Sequence, residues 1–448
     1  MSHCHTATQP EEIQLTRDLR YNHDLDNNDN FSPDNQWLVY DTRTHAGGIA
    51  ASSRIERVRV PSGEKEVLYE LPHNQDWGPG AGAVSYCPTR PEVAFIHGLP
   101  SVTASNPYQQ WRRLGAIVQD ERPGQATFLD ARHVVPHFTP GALRGGTHRH
   151  EWSHDGQWIG YTYNDALMEA LERTTGQPHN LRTIGVSKRG KAVQVPDTAT
   201  GENYPGAWYS VLVVRVVPQP QPGSDEISRA ASDSWVGQQG YLKPDGTRQI
   251  ARAFLGTVKD KQGKDVNEVF VVDIPEEIDQ PGEYGPLEGT STQLPMPPKG
   301  TSQRRLTRTA DTQYPGCSGI VRSSADGSQL AYLARDQAGI QQLFVISPTG
   351  GTSRQLTRHS SDVQGYFRWH PDGQRLAYVW DGSIVLCALE TTSDDASAQR
   401  LTSASQPGPT NLVWAHDGQT LAYNRYVKST TGSDSTKQIF LLKVPLSR

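Results

Sequence analysis

Three stretches follow one another near the C-terminus: SSADGSQLAY (Ser323–Tyr332), WHPDGQRLAY (Trp369–Tyr378) and WAHDGQTLAY (Trp414–Tyr423). In two of them a tryptophan opens the stretch. In all three, Asp-Gly makes a tight turn, with the glycine supplying positive φ, and an apolar run then ends in tyrosine. Each is therefore a β-hairpin. Asp326 to Asp372 is 46 residues and Asp372 to Asp417 is 45, close to the ~40–50 residues of one propeller blade.

The same pattern extends upstream. FSPDNQWLVY (Phe31–Tyr40) and WSHDGQWIGY (Trp152–Tyr161) are clear copies. YCPTRPEVAF (Tyr86–Phe95) is weaker, and LKPDG (Leu242–Gly246), with Ala253–Leu255 after it, is the weakest. A third strand follows as LFVIS (Leu343–Ser347), IVLCAL (Ile384–Leu389) and IFLLKV (Ile439–Val444). A fourth follows as RQLTR (Arg354–Arg358) or QRLTS (Gln399–Ser403). Seven copies of four strands predict an all-β fold, a seven-bladed β-propeller. The last blade ends after its third strand, and IQLTR (Ile13–Arg17) precedes the first blade without a blade of its own. The N-terminal strand is therefore expected to close the last blade, leaving no open edge. This gives one domain over residues 11–448, a disordered tail at residues 1–10, and insertions around 97–150, 164–205 and 275–303. The one helix expected lies at Asn164–Arg173, capped by Asn164 or Asp165.

Composition narrows the function. The 448 residues carry a net charge of −5 and no basic stripe, which argues against a nucleic-acid partner. No apolar run approaches the ~18 residues of a membrane span. The start lacks a basic, then apolar, leader pattern. The four cysteines, Cys4, Cys87, Cys317 and Cys387, show no CxxC spacing, which fits a reducing, cytoplasmic setting. No GxSxG elbow, Walker loop or dinucleotide fingerprint is present.

The residues with chemistry cluster ahead of the Trp152 turn. His148 and His150 stand at i and i+2, which on a regular strand share one face and can share a metal. His133, His137 and Arg144 lie in the Gly/Pro-containing stretch before them, and Tyr163, Asn164 and Asp165 follow the next strand. Asp225, Glu226 and Arg229 form a second charged group. Trp77, Trp111, Trp208 and Trp235 offer faces for sugar rings, while Trp152, Trp369 and Trp414 belong to the repeat.

TPGALRGGTHRH (Thr139–His150), YTYND (Tyr161–Asp165), PQPGSDEISRA (Pro220–Ala230), QRRLTR (Gln303–Arg308) and LFVISPTGG (Leu343–Gly351) resemble the YidR-like bacterial family of TolB-like seven-bladed propellers. THRHEWSHDG (Thr147–Gly156) also resembles, over about ten residues, the His-x-His metal pair of oligogalacturonate lyases, themselves seven-bladed propellers. That second resemblance implies a metal-assisted lyase acting on small acidic, uronate-containing saccharides. A divalent ion (Mn, Zn or Ca) on His148 and His150 would then neutralise the carboxylate; the resemblance places no base, and His137, from its position in the stretch before the pair, is the candidate. Arg144 would clamp the carboxylate, and Tyr163, Asp225 and Arg229 would contact the substrate. The competing reading is a non-catalytic TolB-like propeller that binds a protein or a small ligand.

Overall fold

The computed structural model describes residues 10–25, 29–44, 48–196, 201–428 and 435–444. The expected tail therefore lies outside the described residues except for Pro10. The strands form seven four-stranded antiparallel blades of a β-propeller. The innermost strands are Asn22–Asp24, Ala81–Tyr86, Gly145–Trp152, Arg229–Trp235, Cys317–Ser323, Val363–Trp369 and Thr410–Trp414. We number the blades 1 to 7 in that order.

The repeat residues explain the blades. In each clear turn the aspartate accepts from the backbone N–H two residues on: Asp155 from Gln157 (3.0 Å), Asp372 from Gln374 (2.8 Å), Asp417 from Gln419 (2.9 Å). The following glycines have φ near +70°, as at Gly156 and Gly373, a conformation that costs other residues strain. Tyr40, Tyr161, Tyr332, Tyr378 and Tyr423 are all buried. The Leu-Thr pair ends each of four blades alike. Leu306, Leu356 and Leu401 donate their N–H to the third strand at Val269, Leu343 and Ile384, each at 2.8 Å. The threonine hydroxyls then accept from those same three residues at 2.8–2.9 Å.

Leu15 and Thr16 repeat this arrangement on Ile439 across the ring closure. Glu12–Gln14 pairs antiparallel with Phe440–Leu442, so the N-terminal strand completes blade 7 as expected.

In each blade the connection between the second and third strands, and the link to the next blade, lie opposite the Asp-Gly turns, on the loop side. The span 97–150 is not one insertion, because it holds the third and fourth strands of blade 2 (Arg113–Gln119, Thr127–Phe128) and most of the inner strand of blade 3. The helix begins two residues later than expected, at Ala166, and runs to Thr175. Asp165 caps it by accepting from Leu167 and Met168. In the LKPDG copy the turn sits in an added hairpin, Tyr241–Leu242 with Arg248–Gln249.

Candidate functional site

The inner strands carry a shared irregularity that decides where side chains point. Blades 2 to 7 each have a register shift in the inner strand, between Gly82 and Ser85 in blade 2 and between His148 and Glu151 in blade 3. Ala83, Arg149, Ser232 and Asn411 sit in these bulges with φ of 55–58°. A bulge adds a residue and breaks the two-residue alternation of faces.

His148 and His150 therefore do not share a face. His148 lies opposite Thr162 and accepts at Nδ1 from the Arg182 guanidinium (3.1 Å), on the side where Arg182 meets Ala230 of blade 4. His150 is fully buried toward blade 2. Its Nε2 is 2.9 Å from the Thr147 hydroxyl, and a Cβ on Gly115 would come within 2.6 Å of that nitrogen. Burial, then the Arg113, Arg182 and Arg149 charges, hold His148 well below the usual imidazole range. Burial and Arg113 hold His150 down to about 3.

A divalent metal does not fit this pair. Arginine stays protonated, so Arg182 uses the Nδ1 lone pair of His148 and leaves Nε2 carrying the hydrogen. The surrounding charge is positive. Among the described residues, no three His, Cys, Asp or Glu side chains gather as a metal-binding group.

Arg144 and Tyr163, expected to meet substrate, are instead buried structural groups. Arg144 pairs with buried Asp165 (2.9 Å) and donates to the Thr290 and Gln293 carbonyls of the 275–303 segment. Tyr163 donates to Asp165 (2.8 Å) and accepts from the Arg144 N–H. These contacts tie the helix start to the loop and leave no surface for a ligand. His137 is exposed on the loop before blade 3. Asp225 lies on the outer rim, paired with Arg308 (3.1 Å) and Arg305 (3.4 Å), beside a cavity of about 630 Å³ with Arg215 and Tyr284. Arg229 opens the inner strand of blade 4, exposed and near enough to Arg182 to repel it. Trp208 is buried against Trp152. Trp235 fills the repeat position, donating its indole N–H to the Glu151 carbonyl (2.9 Å) as Trp369 does to Arg322.

The structure gathers other residues at the channel instead. Arg149, Arg322 and Arg368 line one cavity of about 80 Å³ with Leu25, Tyr366 and Asn411. Arg322 and Arg368 also line a cavity of about 260 Å³ toward the turn side, with Asp29, Glu151 and the indoles of Trp152, Trp235, Trp369 and Trp414. Burial, then the neighbouring Arg368 and Arg149, push the Arg322 guanidinium well below its usual range. Burial lowers Arg368 as well, against the pull of Asp29 and Glu151. Glu151 lies 4.0 Å from Arg322 and is held by buried Arg252 at 2.5 Å. Arg113, Arg182 and Arg368 form no ion pair among the described residues, and buried Nε atoms of Arg113 and Arg182 have no hydrogen-bond partner. Burial, then Arg113 and Arg229, bring Arg182 down to about 10. This excess of desolvated guanidinium groups is a setting for an acidic ligand group.

The channel arginines were missed in sequence. Glu151, Arg322 and Arg368 stand four residues before Asp155, Asp326 and Asp372, one column of the repeat that is Asn30 in blade 1 and Val413 in blade 7. Reading the copies column by column would have singled them out.

Residues 80–203 match a family described as a protein of unknown function, DUF3748. The fold is similar to oligogalacturonate lyase from Vibrio parahaemolyticus, with 13% identity, a TM-score of 0.52, and coverage of 98% of this chain and 95% of that one. It is similar also to an oligogalacturonate lyase in complex with manganese, at 12% identity and a TM-score of 0.54, covering 98% and 94% of the two chains. In sequence, 412 residues are 38% identical to the uncharacterized protein YidR of Escherichia coli (strain K12), covering 90% of this chain and 92% of that protein. With that identity over 90% of its length, the chain belongs to the YidR family.

Proposed function

We propose that the protein binds a small acidic ligand, of the uronate-containing saccharide class, at the loop-side mouth of its channel. The observation that carries the reading is the cavity of about 80 Å³ walled by Arg149, Arg322 and Arg368. Its size suits one carboxylate group, with the rest of the ligand outside against Tyr366, which is exposed. Cations held in a low-dielectric site attract an anion far more strongly than surface cations do. The fold it shares with oligogalacturonate lyases supports the saccharide class.

Lyase-like chemistry would draw on the same charges. Neutralising the carboxylate acidifies the carbon beside it. A base takes that proton, the freed electron pair forms a carbon–carbon double bond, and the glycosidic C–O bond breaks with its oxygen taking up a proton. Calorimetric titration with digalacturonate and trigalacturonate tests binding, and ultraviolet absorbance of unsaturated uronate tests elimination. Saturable binding lost in Arg368→Gln is the expected result. Absorbance growing with time would add catalysis to binding. An absence of heat with every acidic oligomer would sink the reading.

A further inference from the structure

The ring nitrogens that His148 and His150 present to their hydrogen-bond partners lie on opposite sides of the sheet. His148 Nδ1 receives a hydrogen bond from Arg182, which also donates to Thr162 at 2.7 Å. His150 Nε2 faces Thr147 on the other side of the sheet. A cation entering here would meet Arg113, Arg149 and Arg182, all of which already repel protonation of His148. The same surroundings suit an anion. Arg149, Arg322 and Arg368, from blades 3, 5 and 6, line one small cavity. Arg368 donates its Nε–H to the Leu412 carbonyl (3.0 Å), which anchors it to blade 7 beside the cavity.

We propose that these three guanidinium groups hold the ligand's acidic group directly, in the role a divalent metal would otherwise fill, and that Arg182 keeps His148 as an N–H donor rather than a metal ligand. The inference rests on the channel-mouth reading above, but it concerns how an anion is held and not which saccharide carries it. A planar guanidinium presents paired donors to a carboxylate or a sulfate, and several together neutralise charge as a metal does.

Two measurements test it without any saccharide. In the first, manganese is titrated into metal-stripped protein and free Mn²⁺ is followed by EPR. Uptake below about a tenth of an equivalent is expected. One equivalent bound, and released in His148→Ala, overturns the proposal. In the second, the thermal midpoint is recorded in sodium sulfate and in sodium chloride of equal ionic strength. Wild type should gain more from sulfate than Arg368→Gln does, by at least a factor of two, with Arg368→Lys between them. An equal gain in wild type and Arg368→Gln overturns it, since sulfate would then act only on the surface at large. A protein that passes both tests yet gives no heat with digalacturonate keeps this inference and loses the saccharide reading.

Discussion

Asp130 shows how much one buried carboxyl weighs. It is wholly buried, and its Oδ1 accepts from the Gly115 N–H (2.7 Å) and the Thr147 hydroxyl (3.3 Å), while Oδ2 has no hydrogen-bond partner among the described residues. Burial pushes it up to about 7. A carboxyl raised on folding binds its proton more tightly in the folded state. Its stabilising effect is complete below about pH 4 and is lost as the pH rises through 7. Asp130→Asn should therefore flatten the pH dependence of stability between about pH 5 and pH 8. It should add on the order of 1–3 kcal/mol at about pH 8, read from urea midpoints at both pH values. Parallel curves for the two proteins would refute this. His150 has the opposite sign: held down to about 3, it supports the fold above its ordinary 6.5 and withdraws that support as the pH falls. At this scale the sequence was only half legible. The residues of the His148–His150 pair were visible, but their directions were not, because the positive φ of Arg149 has no local signature in an arginine. Arg144 was visible as a cation beside glycines, yet its partners come from residues 165, 290 and 293.

Among elements, legibility followed how local the cause is. The Asp-Gly turns could be read because each is held by its own aspartate. The Leu-Thr strands could be read because their hydrogen bonds recur at a constant spacing. Strands of two residues, such as Thr127–Phe128, carry no periodicity, so the span around them read as an insertion. The inner-strand bulges are the element with the largest effect on the site and the faintest trace in sequence. Ala83 tests them. It adopts φ 55° and donates its N–H to Asp41 at 2.5 Å. A left-handed residue with a side chain costs roughly 1–2 kcal/mol. Ala83→Gly should leave stability unchanged or raise it by up to about 1 kcal/mol. Ala83→Val should lower it by roughly 1–3 kcal/mol, measured by urea unfolding. An Ala83→Val protein as stable as wild type would mean that the bulge does not persist in solution.

The whole molecule is a ring whose last joint is Glu12–Gln14 on Phe440–Leu442, reinforced by Glu12 with Tyr423 and Arg425. Removing residues 1–17 would turn Ser435–Lys443 into an exposed edge strand, a template for pairing between molecules. The truncated protein should melt lower by on the order of 5 °C or more and show a higher mass by light scattering than the full chain. An unchanged melt and mass would show that the joint contributes little. The ring also brings together charges that no single blade could hold, since Arg149, Arg322 and Arg368 come from three blades and meet only once the circle is complete. On the ribosome the two halves of the joint emerge more than four hundred residues apart in order of synthesis. The N-terminal strand is made first and must wait while six blades are synthesised before the seventh can take it up. The anion cavity is therefore among the last features the newborn chain acquires, and a stalled or clipped product would bind nothing there.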